Sequence, residues 1–574
     1  MSAPPPPRPP AGRLASLFLV LVLALVAVAG RLFQLQLGDA PAYEALARDQ
    51  RIRTIDLPAS RGAIYDREGA ELALSMPARA VYARPALVPD PASAARRLAR
   101  ALGIDERTIL RALRSGRSFV YLARRVDLEA AARAERLDLP GIGFLDESRR
   151  SYPGATLGSQ VLGFVGVDGQ GLAGLELSHE KLLAGRPGEM IVEQDPLGNP
   201  IPQGERRVEP PVPGQDLVLT LDQDLQFRAQ RALKRAVRRN GAKGGTVIVM
   251  EPASGEILAM ASYPWFDPND VGSAPPENLR ARAVTDIYEP GSVNKVIVAA
   301  AALEEEIVGL EEVFDVADHL RVGPKVFKDA HPHPPMEMTL SDIVAWSSNV
   351  GSIQVAQRVG KPTLARYLRR FGFGRPTGIR FPGEGAGILP PVEEWWETGM
   401  GTIPIGQGVA VTPLQIATVY ATIANGGVWV QPKLVRATVD AEGRVRETGA
   451  PERRRVISAG TARAVTSMLA YAVSDGTGTG AQIPGYWVAG KTGTARKPLE
   501  GVRAYSDEYM ASFVGFVPAE DPRLVVAAIL DEPDTVYGGI AAAPMFRDVA
   551  RFALAQLRVP TSDPPARPPT ARAP

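Results

Sequence analysis

The chain has 574 residues, 45% hydrophobic and 22% charged, enough for two or three domains with sizeable cores. A net charge of +2 supplies no global field that would draw nucleic acid, so no such partner is expected. There is no cysteine, which excludes disulfides, thiolate zinc sites and a cysteine nucleophile.

Residues 2–13 are Pro-rich with Arg8 and Arg13 as their side-chain charges, and read as a disordered cytoplasmic tail (1–13). Leu14–Gly30 is then uncharged and mostly Leu, Val and Ala, spanning about 26 Å as a helix. Leu32–Leu37 extends it into the interface, giving a transmembrane signal anchor over 14–37. Ala27-Val28-Ala29 resembles a signal-peptidase site, so a cleaved signal is the alternative. Arg8 and Arg13 before the segment, against Arg31 after it, place the tail inside and the bulk outside. The expected location is thus the cell (inner) membrane, single-pass, with the catalytic part extracytoplasmic.

Residues 38–215 carry many turn signals and read as a non-catalytic pedestal, with Arg61–Gly69 a strand entering a turn. Arg150–Glu176 is a second dense stretch of turns and ion pairs. Glu209-Pro210-Pro211-Val212-Pro213-Gly214 looks like a linker. Beyond it, Asp222–Arg239 predicts a helix stopped near Asn240-Gly241. Thr246–Met250 and Glu256–Met260 predict a hairpin, Ser512–Val517 and Leu524–Leu530 a second, and Pro413–Ala424 a helix between them. Strands at both ends with helices between imply an α+β domain over 216–557, its antiparallel sheet flanked by helices. Residues 558–574 read as a disordered Pro-rich tail.

Three short motifs carry the chemistry. Ser292-Val293-Asn294-Lys295 places a hydroxyl and an amine one helical turn apart. A serine needs a neighbouring base, and lysine serves as one when burial or a nearby cation lowers its pKa; Lys491 is the candidate cation. Ser347-Ser348-Asn349 follows, in which Ser347 and Asn349 either relay protons and hold a substrate amide or simply cap a helix. Lys491-Thr492-Gly493-Thr494 follows Trp487–Gly490 and reads as a strand edge. Gly493 there would let a substrate backbone approach, and Lys491, Thr492 and Thr494 would bind a carboxylate. Only ten of the 65 basic residues are lysines, so two in one ordered set carry weight. Ser178-His179-Glu180-Lys181 also fits the first pattern, and reads as a helix N-cap with Lys181 in solvent.

The ordered set resembles the S-x-x-K, S-x-N and K-T-G motifs of penicillin-binding proteins and serine β-lactamases. Over nearly its whole length the chain resembles a class B penicillin-binding protein of the cell-division type. The resemblance includes Gly372-Phe373-Gly374, Thr377-Gly378-Ile379, Pro382-Gly383-Glu384, Gly406–Val409 with Thr412–Gln415, and Ala489–Ala495. It implies a penicillin-binding transpeptidase domain behind an elongated, dimerisation-type pedestal. It also implies a D,D-transpeptidase for septal cell-wall synthesis, with Ser292 attacking the penultimate D-alanine of a stem peptide. By the same resemblance, Lys295, Ser347, Asn349 and Lys491 are catalytic, Thr492, Gly493 and Thr494 bind substrate, and the Ser292 and Thr494 N–H groups form the oxyanion hole. β-Lactams would be covalent inhibitors, and the partners a SEDS-type glycosyltransferase and other division membrane proteins. No cofactor or metal is implied. Asn294 departs from the family's usual small, β-branched or apolar residue.

Other readings fit less well. A β-lactamase would be about half as long, with a deacylating carboxylate loop not evident here. The N-terminal region is too short for an anchor plus a glycosyltransferase. His331-Pro332-His333 is a metal-like pair without further ligands, and reads as a loop. No nucleophile elbow supports a Ser-His-Asp hydrolase. An elongation-type relative and a non-catalytic β-lactam-binding scaffold or sensor are the remaining alternatives.

Overall fold

The computed structural model describes residues 11–40, 51–193, 201–202, 206–499, 501 and 504–562. The expected tail up to residue 10 and the expected C-terminal tail beyond 562 lie outside the described residues. The chain divides into two compact units, residues 1–59 with 186–212, and residues 60–185 with 213–574.

In the first unit, the apolar run forms helix α1 (Ala11–Phe33), continued by a π-type turn over Gln34–Gly38. Its Leu, Val and Phe side chains are exposed along the helix, as an apolar stretch of spanning length requires. Strand Gly188–Glu193 lies between Ile52–Leu57 and Arg206–Glu209, all antiparallel. The pedestal expected over 38–215 is therefore shared between the two units.

In the second unit, strand Ile64–Tyr65 pairs in parallel with Asp216–Leu219, which pairs with Val435–Val439. One sheet thus joins sequence regions on both sides of residue 215. Glu176 is fully buried there, receiving hydrogen bonds from Arg61 at 2.6 Å, Arg150 at 2.7 Å and the Tyr152 hydroxyl at 3.2 Å. The ion pairs read from Arg61–Gly69 and Arg150–Glu176 are this one buried cluster.

Helix α2 (Gln223–Arg239) starts where the Asp222 carboxylate accepts from Leu225 N–H at 2.9 Å and stops before Gly241 at φ +61°. It is followed by β1 (Gly244–Met250) and β2 (Ile257–Tyr263), the first expected hairpin. Helix α3 (Lys295–Glu304), α4 (Leu340–Ala345), α5 (Asn349–Val359) and α6 (Pro413–Ala424) come next. The chain then forms β3 (Ala489–Pro498), β4 (Tyr505–Val517), β5 (Leu524–Asp531) and α7 (Ala543–Gln556). The antiparallel sheet runs β2-β1-β5-β4-β3, with β3 at its edge.

Alternation along each strand decides the two layers. Val247, Val249, Phe513, Val526 and Ala528 face α2 and α7, where Phe513 meets Phe546 edge-to-face at 4.7 Å. Ile248, Met250, Val514, Ala527 and Ile529 face a larger core with α3 and α6. Both α3 and α6 are apolar on nearly every side and run through that core. Each fully buried Val, Leu or Phe contributes about 1.5–3 kcal/mol, so this double-sided sheet is the rigid support for its edge strand.

Two expectations fail. Ser178 does not cap a helix: it ends one short helix (Gly174–Ser178) and its hydroxyl is 2.8 Å from the His179 ring, although Lys181 is exposed as expected. The chain after 558 is not free at once, because Tyr486 donates to Val559 O at 2.7 Å and Ser562 binds Gly485 O and Trp487 N–H.

Candidate active site

Ser292 lies in a 3-10 turn, Gly291–Asn294, that runs directly into α3. With three residues per turn, positions three apart eclipse, so Ser292 and Lys295 align on one face more closely than an α-helix allows. The turn is fixed from behind. Asn294 is fully buried and donates to Ile403 O at 2.8 Å, Tyr420 donates to Val293 O at 3.0 Å, and Gly291 N–H binds Gly406 O at 3.1 Å. A Cβ on Gly406 would stand 2.1 Å from Gly291 O, so only glycine admits this backbone-on-backbone packing. The residue that departs from the usual pattern, Asn294, is thus a brace of the turn.

Lys295 is buried, and its Nζ donates to Ser347 O at 2.5 Å, Asn349 Oδ1 at 2.8 Å and Ser347 Oγ at 3.3 Å. Ser347 sits between α4 and α5 at φ +64°, a left-handed conformation that costs a β-carbon residue about 1 kcal/mol. The capping alternative belongs to the residue between Ser347 and Asn349. Ser348 caps α5 by accepting from Gly351 N–H at 2.9 Å, which leaves Ser347 and Asn349 turned to Lys295.

Lys491 and Thr492 are buried on edge strand β3, and Thr494 is half-buried. Lys491 Nζ lies 3.2 Å from Thr492 Oγ1, which is 2.9 Å from Thr477 Oγ1; Thr477 N–H binds Ala345 O at the end of α4. Thr477 therefore couples the third motif to the second. Gly493 is also closely packed: a Cβ there would lie 2.2 Å from Ser512 Oγ and 3.1 Å from Pro290 O. The glycine lets β3 pass close to β4 and to the Gly291–Asn294 turn. The three motifs, far apart in sequence, are brought together in the fold.

A penicillin-binding protein transpeptidase domain matches residues 245–551, and a penicillin-binding protein dimerisation domain matches residues 56–219. The chain belongs to the class B penicillin-binding proteins. Penicillin-binding protein PbpB of Mycolicibacterium smegmatis is 36% identical over 97% of this chain and 92% of that protein. Peptidoglycan D,D-transpeptidase FtsI of Escherichia coli is 34% identical over 93% and 90%. The crystal structure of penicillin-binding protein 3 of Mycobacterium tuberculosis complexed with ampicillin matches with TM-score 0.73 and 33% identity, covering 90% of this chain and all of that one. The protein is a serine-type peptidoglycan D,D-transpeptidase with an α+β penicillin-binding fold.

The electrostatics around the two motif lysines of this transpeptidase follow from burial. Desolvation lowers the Lys295 pKa to about 7, with the Asp329 charge opposing it. Of the two causes the sequence allowed, burial or a neighbouring cation, burial is the one that acts on Lys295. Lys491 is the one that feels the pair: burial and then the Lys295 charge push it well below a normal lysine. Both causes favour the neutral form of Lys491 until an anion arrives.

Asp329 was missed in the sequence, where the histidines beside it drew attention as possible metal ligands. Its Oδ1 accepts from the N–H groups of Asn349 at 2.5 Å and Val350 at 3.0 Å, and its Oδ2 from Ser348 Oγ at 2.8 Å. His333 Nε2 completes the set at 3.1 Å from Oδ2, and Asp329 raises the His333 pKa by that hydrogen bond. His331 stacks near Tyr537 with centroids 6.3 Å apart. An acid ahead of a Ser-Ser-Asn turn, able to cap α5 from outside, was the available signal.

Proposed function

We propose that this transpeptidase cross-links stem peptides during septal cell-wall synthesis through an acyl-enzyme on Ser292. The observation that carries the catalytic assignment is Lys295: a buried amine with a pKa of about 7, one 3-10 turn from Ser292 and bonded to Ser347 and Asn349. Neutral Lys295 takes the Ser292 proton, and Ser292 Oγ attacks the penultimate D-alanine carbonyl. The oxyanion is held by the N–H groups of Ser292 and Thr494, each such donor being worth about 2.7–4 kcal/mol. Ser347, in reach of Lys295 at 3.3 Å, returns a proton to the nitrogen of the departing D-alanine, and Asn349 holds the substrate amide. An amine of a neighbouring strand then attacks the ester and frees Ser292.

Lys491 with Thr492 and Thr494 takes the terminal carboxylate. That carboxylate supplies the counter-charge whose lack keeps the buried Lys491 short of a proton, so substrate binding and Lys491 protonation are linked. β-Lactams acylate the same serine; the Mycobacterium tuberculosis relative is known in complex with aztreonam and with ampicillin.

Residues 14–37 anchor the protein in the cell membrane, 38–215 serve as pedestal and 216–557 as transpeptidase domain. Glycan strands come from a separate SEDS-type glycosyltransferase within the division machinery. The septal assignment rests on the Phe371–Glu384 and Gly406–Gln415 stretches. Both belong to one bonded unit, with Gln415 Nε2 donating to Arg375 O and Ala386 O at 2.8 Å each.

Labelling with a fluorescent penicillin tests the chemistry, with wild type beside Ser292→Ala and Ser178→Ala. Label lost in Ser292→Ala alone supports the assignment, and an unlabelled wild type overturns it. A tagged copy spread along the cell wall, absent from the septum, would overturn the division role.

A further inference from the structure

Three arginines in a row, Arg453–Arg455, form one strand of a two-stranded ribbon with Val428–Val430. Successive strand side chains point to opposite faces, so the middle one is turned away from its neighbours. Arg453 and Arg455 are exposed and donate to backbone carbonyls, of Ala253 at 2.8 Å and of Gly426 at 3.1 Å. Arg454 lies directly opposite Trp429 in the ladder and is half-buried, its Cζ 4.3 Å over the indole ring centroid.

Arg454 is incompletely bonded. Its Nη1 donates to Arg370 O, which fixes the guanidinium, but Nε and Nη2 are buried without a partner. Those two nitrogens share one edge of the guanidinium and make the fork that grips two oxygens of an oxyanion. Trp429, 5% exposed, also has its Nε1 buried without a partner. The two residues open onto one spot. A Cβ on Gly372 (φ +107°) would stand 3.8 Å from Arg454 Nη2 and 4.0 Å from Trp429 Nε1, with no other atom beyond its chain neighbours within 4 Å. Glycine there leaves open the place where an acceptor would sit.

The charge is unmatched too. The cations Arg375 and Arg370 bear on Arg454, and Glu452, which is exposed, is the carboxylate that opposes them. Burial first, then the Arg375 charge, lowers the Arg454 pKa to about 10, and an arriving anion would reverse that. The acids that feel Arg370 are already used: Glu304 accepts from Ser458 N–H and Thr461, and Glu305 from Tyr367 and Arg366.

We propose that Arg454, Trp429 and Gly372 form a binding site for a phosphate group, separate from the acyl-transfer residues. The layering of guanidinium over indole selects the shape. A planar carboxylate fills the Arg454 fork with both oxygens and leaves the indole N–H, one layer below, bare. A tetrahedral phosphate sends two oxygens to the fork and a third out of its plane to Trp429 Nε1, so every orphaned donor is met. The fourth oxygen carries the ester toward solvent at Gly374 and Arg375, both exposed. A free phosphate ester and a phospholipid headgroup share this chemistry.

The test is calorimetric titration of the full chain in nonionic detergent, at fixed ionic strength, with inorganic phosphate, glycerol 3-phosphate, short-chain phosphatidylglycerol or acetate. Phosphate should bind with a Kd of about 1 mM or tighter, and acetate about tenfold more weakly. Trp429→Phe keeps a ring under Arg454 and removes the N–H, so phosphate should fall to the acetate level. Arg454→Lys keeps a charge and removes the fork, and should weaken phosphate by about tenfold or more. A melting temperature without phosphate equal to that of the wild type shows that a variant is folded. Should Arg454→Lys unfold, Trp429→Phe still decides between phosphate and acetate. Tighter binding of glycerol 3-phosphate than of phosphatidylglycerol assigns the site to a free ester, and the reverse to a headgroup; either supports it. Absence of saturable phosphate binding, equal binding of phosphate and acetate by the wild type, or an unchanged phosphate affinity in either folded variant overturns it.

Discussion

Asp329 holds the backbone N–H of Asn349 at 2.5 Å, and the Asn349 side chain in turn accepts from Lys295 at 2.8 Å. The carboxylate is therefore one residue removed from the Lys295 amine. It acts on that amine in two ways: by fixing the acceptor's position, and by a charge that opposes the burial-driven fall in the Lys295 pKa.

Asp329→Asn keeps the shape but weakens hydrogen bonds to a charged acceptor. Penicillin acylation should slow by about 10–100-fold, the equivalent of about 1.5–3 kcal/mol. A purely structural loss would lower the melting temperature without moving the pH profile. Here the rising limb of the acylation profile should also shift to lower pH, because the charge that raises the Lys295 pKa is gone.

In the wild type that limb should lie near pH 7. The base works only when neutral, so the acylation rate rises with pH as Lys295 loses its proton and levels above about 7. A limb near 10 would mean that Lys295 is an ordinary solvated lysine, and stopped-flow labelling across pH 5–10 decides.

The same depressed pKa makes Lys295 a stability cost. Its folded value lies below the unfolded one of about 10.4, so the unfolded chain binds more protons between the two. The cost is fullest below about 7 and is relieved as pH rises toward 10. Lys295→Met should thus raise the melting temperature at pH 7 by about 2 °C or more while cutting acylation by about 10²–10⁴-fold. Calorimetry beside labelling reads both.

Ser347 and Ser348 should separate cleanly. Ser347→Gly removes the left-handed strain and stabilises by up to about 1 kcal/mol, yet slows acylation because the hydroxyl near Lys295 is lost. Ser348→Ala loses the α5 cap and its bond to Asp329, costing about 1 kcal/mol, with a smaller effect on rate. The reverse pattern would show that the roles are exchanged.

In the pedestal, Glu176→Ala leaves Arg61 and Arg150 buried without their shared counter-charge. The expected cost is about 3–5 kcal/mol, seen as an early unfolding transition in urea. An unchanged transition would mean that water replaces the carboxylate.

Much of this was legible in the sequence. The strands and helices around the site follow from period-2 and period-3.6 patterns and from caps such as Asp222, which act over a few residues and so leave local marks. The residues of the three motifs were legible because their spacing is itself chemical: an amine three residues from a hydroxyl, a strand lysine beside hydroxyls. Where local logic had two answers, it could not choose. Ser347, Ser348 and Asn349 are all fair caps by residue type, and only the positive φ of Ser347 hands that task to Ser348.

The sequence by itself determined the set of groups, their order and the secondary structure that presents each. Only the tertiary structure decided their electrostatics and their neighbours. Burial, a property of the whole packed core, sets the Lys295 pKa; Ser512 and Pro290, each remote from Gly493 in the chain, crowd the space a Cβ there would take. Hydrogen bonds and desolvation depend on what lies within a few ångströms, and the fold, not the spacing along the chain, brings those groups together.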